Sequence, residues 1–134
     1  MGHNGAHRTN GHLTRAIQAI SRAKVEFATA RKAKDEMAAS QAAEKAWLAV
    51  AEATHAFLRC KGFAEDKLPK GQNGAFLLLR KHGTHDLVKT FLTARGILHT
   101  EAFYRGSVDW PTIAEVIGEA EGFVTRVRSV AERN

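Results

Sequence analysis

Few residues in this chain could fix its fold by any means other than the packing of side chains. Its single cysteine, Cys60, cannot form an internal disulfide or a multi-thiolate zinc site. Only two prolines occur, Pro69 and Pro111, so long stretches contain no residue that breaks a helix. Because alanine is abundant as well, we expect an all-helical chain that is stabilised by its hydrophobic core.

The sequence also lacks the run of about 18 uncharged apolar residues that a membrane-spanning helix requires. Residues 1–7 contain no apolar stretch that could act as an export signal. From these two absences we expect a cytoplasmic protein. The chain has 134 residues, of which 44% are hydrophobic, and this suits one domain with a core of useful size.

Positive charge is in moderate excess, with 20 Lys and Arg residues against 14 Asp and Glu residues and a net charge of +6. An excess of this size favours anionic partners such as RNA or nucleotides. A solvated basic surface without such a partner explains the same composition equally well.

Apolar residues recur at helical spacing in five segments, over about residues 13–33, 37–61, 74–82, 84–104 and 109–131. The strongest period lies in the second segment, whose predicted core face holds Ala43, Ala46, Trp47, Val50, Thr54, Phe57 and Leu58. A shift of the apolar phase near residue 35 separates the first two segments, and one long bent helix is the alternative. Thr84 and Asp109 are predicted N-caps, and residues 62–73 are predicted to be a loop.

Residues 1–12 have no apolar period and are rich in Gly, Asn and His, which predicts a flexible tail in front of a single bundle domain over 13–134. The alternative for His3, His7 and His12 is metal chelation. We predict no metal site and no cofactor from the motifs of the sequence, because it contains no His/Cys cluster with metal-ligand spacing.

Arg95 and His99 are the candidate catalytic residues. Placing residues 84–104 at 100° intervals puts both side chains within the apolar arc of one helix. An imidazole and a guanidinium four residues apart could act on one phosphate group, and this arrangement would suit RNA cleavage without a metal. Tyr104 and Arg105, at the end of the same helix, join Arg95 and His99 as candidate RNA- or nucleotide-binding residues.

A structural interpretation of Arg95 and His99 competes with the catalytic one. Polar side chains on an apolar arc commonly pair with a neighbouring carboxylate, such as Glu44 or Glu115, or with a carbonyl at a helix junction. Arg80 and His85 form a second candidate pair, but Gly83 lies between them, so their geometry depends on the turn.

Several segments resemble HEPN domains, which are helical nucleotide-associated domains. Residues 38–62 are similar to the central HEPN helix, and Thr84-His-Asp-Leu87 to a common helix start in that family. Leu98-His-Thr-Glu-Ala-Phe-Tyr104 and Glu119-Ala-Glu-Gly-Phe-Val124 resemble segments of the archaeal PaREP branch. The resemblance spans about residues 13–130.

The resemblance implies an antiparallel bundle of four to five helices that commonly dimerises. Members act as toxin-type or defence RNases, as partners of nucleotidyltransferases, or as non-catalytic binding modules. Active members share an R-x-x-x-x-H motif, which Arg80–His85 matches in spacing but early in the chain. Arg95–His99 lies at the more suitable place and is one residue short.

We therefore expect a HEPN-like protein associated with nucleotides or RNA, and its most specific form would be a metal-independent endoribonuclease of the toxin or defence type. The alternative is a non-catalytic bundle with a structural or protein-binding role. An antitoxin or a nucleotidyltransferase is the partner that the resemblance implies. A line of small residues, Ala114, Gly118 and Gly122, is typical of tight packing within a bundle, and its alternative is a face for homodimerisation.

Overall fold

The computed structural model describes the backbone of residues 3–133 and the side chains of residues 11–133. Within this part of the chain the structure is all-helical and contains no strand. The five α-helices are α1 (His3–Ala33), α2 (Glu36–Cys60), α3 (Gln72–His82), α4 (His85–Ala94) and α5 (Trp110–Arg133). A 3₁₀ turn, Glu65–Lys67, lies in the loop after α2, and a π-helix, Arg95–Tyr104, continues α4. The predicted all-α bundle is therefore confirmed.

Helices α1 and α2 are joined by a tight turn, so the alternative of one long bent helix was wrong. Lys34 adopts a positive φ of 56°, and no glycine is present to ease this conformation. Asp35 caps α2, because its side chain accepts a hydrogen bond from the backbone N–H of Ala38. The two helices run antiparallel and pack together more extensively than any other pair of elements.

The first helix begins at His3 and not near residue 13 as the sequence predicted. Residues 3–12 are therefore helical, which corrects the predicted tail as far as its secondary structure is concerned. His12 is 8% exposed and contacts carboxylates outside α1, a set of partners that no local period could indicate. The side chains of His3 and His7 lie outside the described part, as do Met1, Gly2 and Asn134.

The core lies along α2, where the predicted face is buried throughout. Trp47 is 2% exposed, and its ring meets the ring of Phe91 edge-on, with 5.2 Å between centroids. One apolar face of α5 is also buried, and Phe123 on this helix is a fully buried ring. No helix of residues 3–133 is long and apolar enough to cross a membrane.

The helix predicted over residues 84–104 is present, but its second half is a π-helix. Thr84 accepts a hydrogen bond from the N–H of Leu87, so the predicted N-cap is confirmed. The hydroxyl of Ser40 on α2 donates to the carbonyl of Ala102, at 2.5 Å, and ties the π-helix to the bundle. Because the backbone bonds from i to i+5 there, the assumed 100° per residue does not hold beyond Arg95.

Gly83 closes α3 where a side chain would collide with the helix. A Cβ at this position would lie 2.7 Å from the carbonyl oxygen of Leu79 and 3.0 Å from one of its methyl carbons. We therefore expect Gly83→Ala to lower the free energy of unfolding by about 1–3 kcal/mol, measured by urea denaturation. Gly71→Ala is the matched control, because a Cβ at Gly71 meets nothing within 4 Å. Equal losses in the two variants would contradict this explanation.

Candidate functional site

His99 lies on the π-helix and is oriented by a carboxylate from α2. Its Nδ1 is 2.8 Å from Oε1 of Glu44, and the two side chains are 25% and 19% exposed. Because a carboxylate accepts hydrogen bonds, Nδ1 carries the proton and donates to Glu44. No described residue hydrogen-bonds Nε2, so that nitrogen can exchange a proton with a ligand. Glu44 was predicted from the sequence as a structural partner of this pair, and the contact itself is confirmed.

Aromatic rings surround the imidazole of His99. Trp47 lies beneath it at 5.9 Å between ring centroids, and Phe103 and Tyr104 lie at 6.3 and 6.5 Å. Tyr104 is 80% exposed and Phe103 is 40% exposed, so both present ring surface to solvent. Exposed aromatic rings beside a polar group are surfaces on which nucleobases stack.

Arg95 is partly buried, and its guanidinium is directed to residues other than His99. It donates a hydrogen bond to Oδ1 of Asn73 at 3.3 Å. It also lies over the rings of Phe76 and Phe91, at 5.7 and 5.8 Å from their centroids. The hydrogen bond to Asn73 is long and solvent-exposed, so it adds little to the packing that holds Arg95 in place.

The other predicted site residues differ in their surroundings. Arg105 is exposed and pairs with Glu101, at 3.0 Å, one turn earlier. Arg80 and His85 are exposed at the end of α3 and the start of α4, and no hydrogen bond or ion pair joins them within residues 11–133. The structure therefore gives the second candidate pair no common site.

A basic cleft of about 570 Å³ lies where the ends of α2, α3 and α5 meet the start of α4. Its cationic lining consists of Lys61, Arg126 and Arg133, with His82 beside them and the hydroxyls of Thr84 and Ser129 as further donors. No carboxylate side chain of residues 11–133 lines the cleft. Its lining therefore suits an anionic group such as phosphate.

A second cluster of titratable side chains joins α1 to α2. His12 on α1 directs Nδ1 to Oε2 of Glu52, at 2.8 Å, and Nε2 to the carboxylate of Glu65, at 2.9 Å. His55 meets the ring of His12 edge-on, with 5.3 Å between centroids. One ligand atom from each of His12, Glu52 and His55 lies within 4.8 Å of the others, so these three side chains could hold a metal ion.

The cluster perturbs two of its members. Burial, and then the nearby His12, lower the pKa of His55 below its ordinary value, whereas a hydrogen bond to the backbone of Pro69 opposes that shift. The hydrogen bond from His12 lowers the pKa of Glu65. His55 is therefore more often neutral than an exposed histidine at the same pH, and Glu65 stays ionised to a lower pH.

Sequence reasoning missed this cluster, although part of its signal was present. Glu52 and His55 are three residues apart on α2, a spacing that puts both on one helix face. The Glu-x-x-His spacing is a known ligand pattern in helical bundles. His12 could not be joined to it, because the predicted tail placed that residue outside the domain.

Of the line of small residues on α5, Ala114 packs against the core, whereas the two glycines do not make the close contacts that the sequence-based interpretation expected. Gly118 is exposed, and a Cβ there would meet nothing within 4 Å. At Gly122 such an atom would meet only the guanidinium of Arg126, at 3.6 Å. Homodimerisation through this line stays a prediction.

Comparisons with models of protein families, with curated proteins and with solved structures found no match to this chain.

Proposed function

We propose that this chain binds single-stranded RNA and cleaves it by acid–base catalysis at His99, without a metal ion. The observation that carries the proposal is the hydrogen bond between Nδ1 of His99 and Glu44. A carboxylate in this position fixes the tautomer of the imidazole and stabilises its protonated form, so that Nε2 can act as a base.

The proposed chemistry uses the 2′-hydroxyl that distinguishes RNA from DNA. Nε2 of His99 takes the hydroxyl proton, and the 2′-oxygen then attacks the adjacent phosphorus. The bond from phosphorus to the 5′-oxygen breaks, the 5′-oxygen takes up a proton from water, His99 returns its proton to the solvent, and a 2′,3′-cyclic phosphate remains. Arg95, four residues before His99, would supply positive charge to the phosphate after its guanidinium leaves Asn73 and the rings of Phe76 and Phe91.

RNA is preferred to a free nucleotide because the exposed surface extends beyond one phosphate site. Tyr104 and Phe103 offer ring surface for stacking beside His99, and Arg105 follows them with an exposed guanidinium. The basic cleft at the end of α2 and the net charge of +6 also favour a polyanionic ligand. We also propose that the chain is related to HEPN domains and forms a homodimer. The resemblance to HEPN domains agrees with a role in RNA binding.

The test is an incubation of the purified chain with a single-stranded RNA oligonucleotide in EDTA, beside a DNA oligonucleotide of the same sequence. We expect cleavage of the RNA alone and a product that ends in a cyclic phosphate. Cleavage that appears only when Mg²⁺ is added would contradict the mechanism.

The paired variant Arg80→Ala/His85→Ala is the matched control for the site. It removes an exposed arginine and an exposed histidine from the same protein without touching Glu44 or His99. We expect it to cleave RNA at the rate of the unmodified chain. Loss of cleavage in this variant would move the site to the turn at Gly83.

A non-catalytic bundle is the second candidate function. The packing of Arg95 on Phe76 and Phe91 favours it, because a guanidinium held by two rings and an amide already has partners. On this view the chain would bind RNA or a protein without cleaving it. Binding of labelled RNA with no cleavage at any pH would support this candidate.

A further inference from the structure

We propose that His12, Glu52 and His55 form a binding site for a divalent transition-metal ion of the Zn²⁺ type. Their ligand atoms lie within 4.8 Å of one another, and His12 is buried while the other two are partly buried. Zinc ligands lie about 2.0–2.2 Å from the ion, so small side-chain rotations bring these three atoms to that distance. This site is separate from the proposed cleavage site at His99.

The backbone places the three ligands through ordinary helix geometry. Glu52 and His55 share one face of α2 because they are three residues apart. His12 reaches them from the facing helix, and its Nδ1 already lies 2.8 Å from the carboxylate of Glu52. The site therefore requires no rearrangement of the α1–α2 hairpin.

His12 also has the outer hydrogen bond that a metal-bound histidine uses. Such a histidine nearly always donates its second ring N–H to a carboxylate or a backbone carbonyl, which fixes the tautomer. His12 directs Nε2 to the carboxylate of Glu65 at 2.9 Å. Its Nδ1 faces the carboxylate of Glu52, on the side where the ion would bind.

A cationic side chain already lies beside two of the three proposed ligands, His12 and Glu52. The guanidinium of Arg15 is 3.1 Å from Nδ1 of His12 and 3.4 Å from Oε2 of Glu52, so the local field attracts positive charge. The side chain of Arg15 is 56% exposed and can turn into solvent when an ion enters. Nε of Arg59 is buried and has no hydrogen-bond partner among the described residues. It lies 4.0 Å from Oε1 of Glu65 and helps to neutralise that carboxylate.

The ligand set indicates which ion the site prefers. Two imidazoles with one carboxylate are ligands for Zn²⁺ and its neighbours, whereas Mg²⁺ and Ca²⁺ prefer oxygen alone. Three protein ligands leave room for water as a fourth. We therefore expect binding of Zn²⁺ and none of Mg²⁺ at the same concentration.

The experiment uses the full chain, purified without an affinity tag and stripped of metal. It is titrated with Zn²⁺ in a calorimeter, and with Mg²⁺ in a parallel run. We expect one Zn²⁺ per chain and a rise in melting temperature on binding. Glu52→Gln and His55→Asn should each weaken binding by at least about 10–100-fold, the loss found when even an outer partner of a metal ligand is removed. Circular dichroism in EDTA establishes that each variant is folded.

The control variant is His3→Asn/His7→Asn, which removes two histidines that precede the site on the chain. We expect it to bind Zn²⁺ as the unmodified chain does. The proposal is overturned if Zn²⁺ does not bind, or if this variant loses binding that Glu52→Gln retains. Should a ligand variant fail to fold, a visible spectrum of the unmodified chain with Co²⁺ decides, because the weak bands of an octahedral aquo ion would exclude this site.

Discussion

Trp47→Ala should lower the free energy of unfolding by about 3–5 kcal/mol, the loss typical of removing a buried aromatic ring from a core. The indole is 2% exposed, meets Phe91 edge-on at 5.2 Å and supports the imidazole of His99. Alanine would remove both ring contacts and leave a cavity that the facing helices can fill only in part. Urea denaturation followed by circular dichroism measures the change.

Leu48 provides the control for this prediction because it is the next residue on α2 and faces solvent. Its side chain is 48% exposed, so Leu48→Ala should change the free energy of unfolding by only about 0.5 kcal/mol. A loss below about 1 kcal/mol in Trp47→Ala would mean that the indole does not anchor the core.

His99→Ala should reduce RNA cleavage by about 10²–10⁴-fold, the usual contribution of a positioned acid or base. Glu44→Gln should also slow cleavage, because an amide can keep a hydrogen bond to Nδ1 but cannot stabilise the protonated imidazole by charge. If the two residues act as a unit, the double variant should be little slower than His99→Ala alone. Single-turnover cleavage rates in EDTA measure all three.

The structural alternative predicts a different result for the same variant. Removal of His99 would leave Glu44, which is 19% exposed, without its partner, and the free energy of unfolding would fall by about 1–3 kcal/mol with no cleavage to lose. Cleavage that survives His99→Ala would exclude this histidine as the base. Melting temperatures, recorded beside the rates, separate a loss of chemistry from a loss of folded protein.

Local patterns predicted most of the fold, because helix periods and caps are properties of neighbouring residues. The buried face around Trp47 and the cap at Thr84 are of this kind, and both are confirmed. The contact of His99 with Glu44 could be predicted because few carboxylates on the facing helix could meet the imidazole. Features that depend on i, i+3 and i, i+4 spacing can thus be predicted from the amino-acid sequence.

The features that were missed depend on interactions between distant segments or on departures from regular geometry. His12 looked like part of a polar tail, because its partners Glu52 and Glu65 lie 40 and 53 residues away. The π-helix from Arg95 was missed because one angular step per residue was assumed for the whole segment. Tertiary contacts decided both, and a single sequence carries only a weak record of them.

The α1–α2 hairpin also determines when each proposed site can be assembled. His12, Glu52 and His55 all belong to these two helices, and packing between neighbouring helices requires little closure of long loops. Glu44 meets His99 across 55 residues, so that pair must wait for the second half of the chain. During synthesis the amino-terminal segment leaves the ribosome first. We therefore expect the proposed metal ligands to meet before His99 can reach Glu44 and complete the proposed cleavage site.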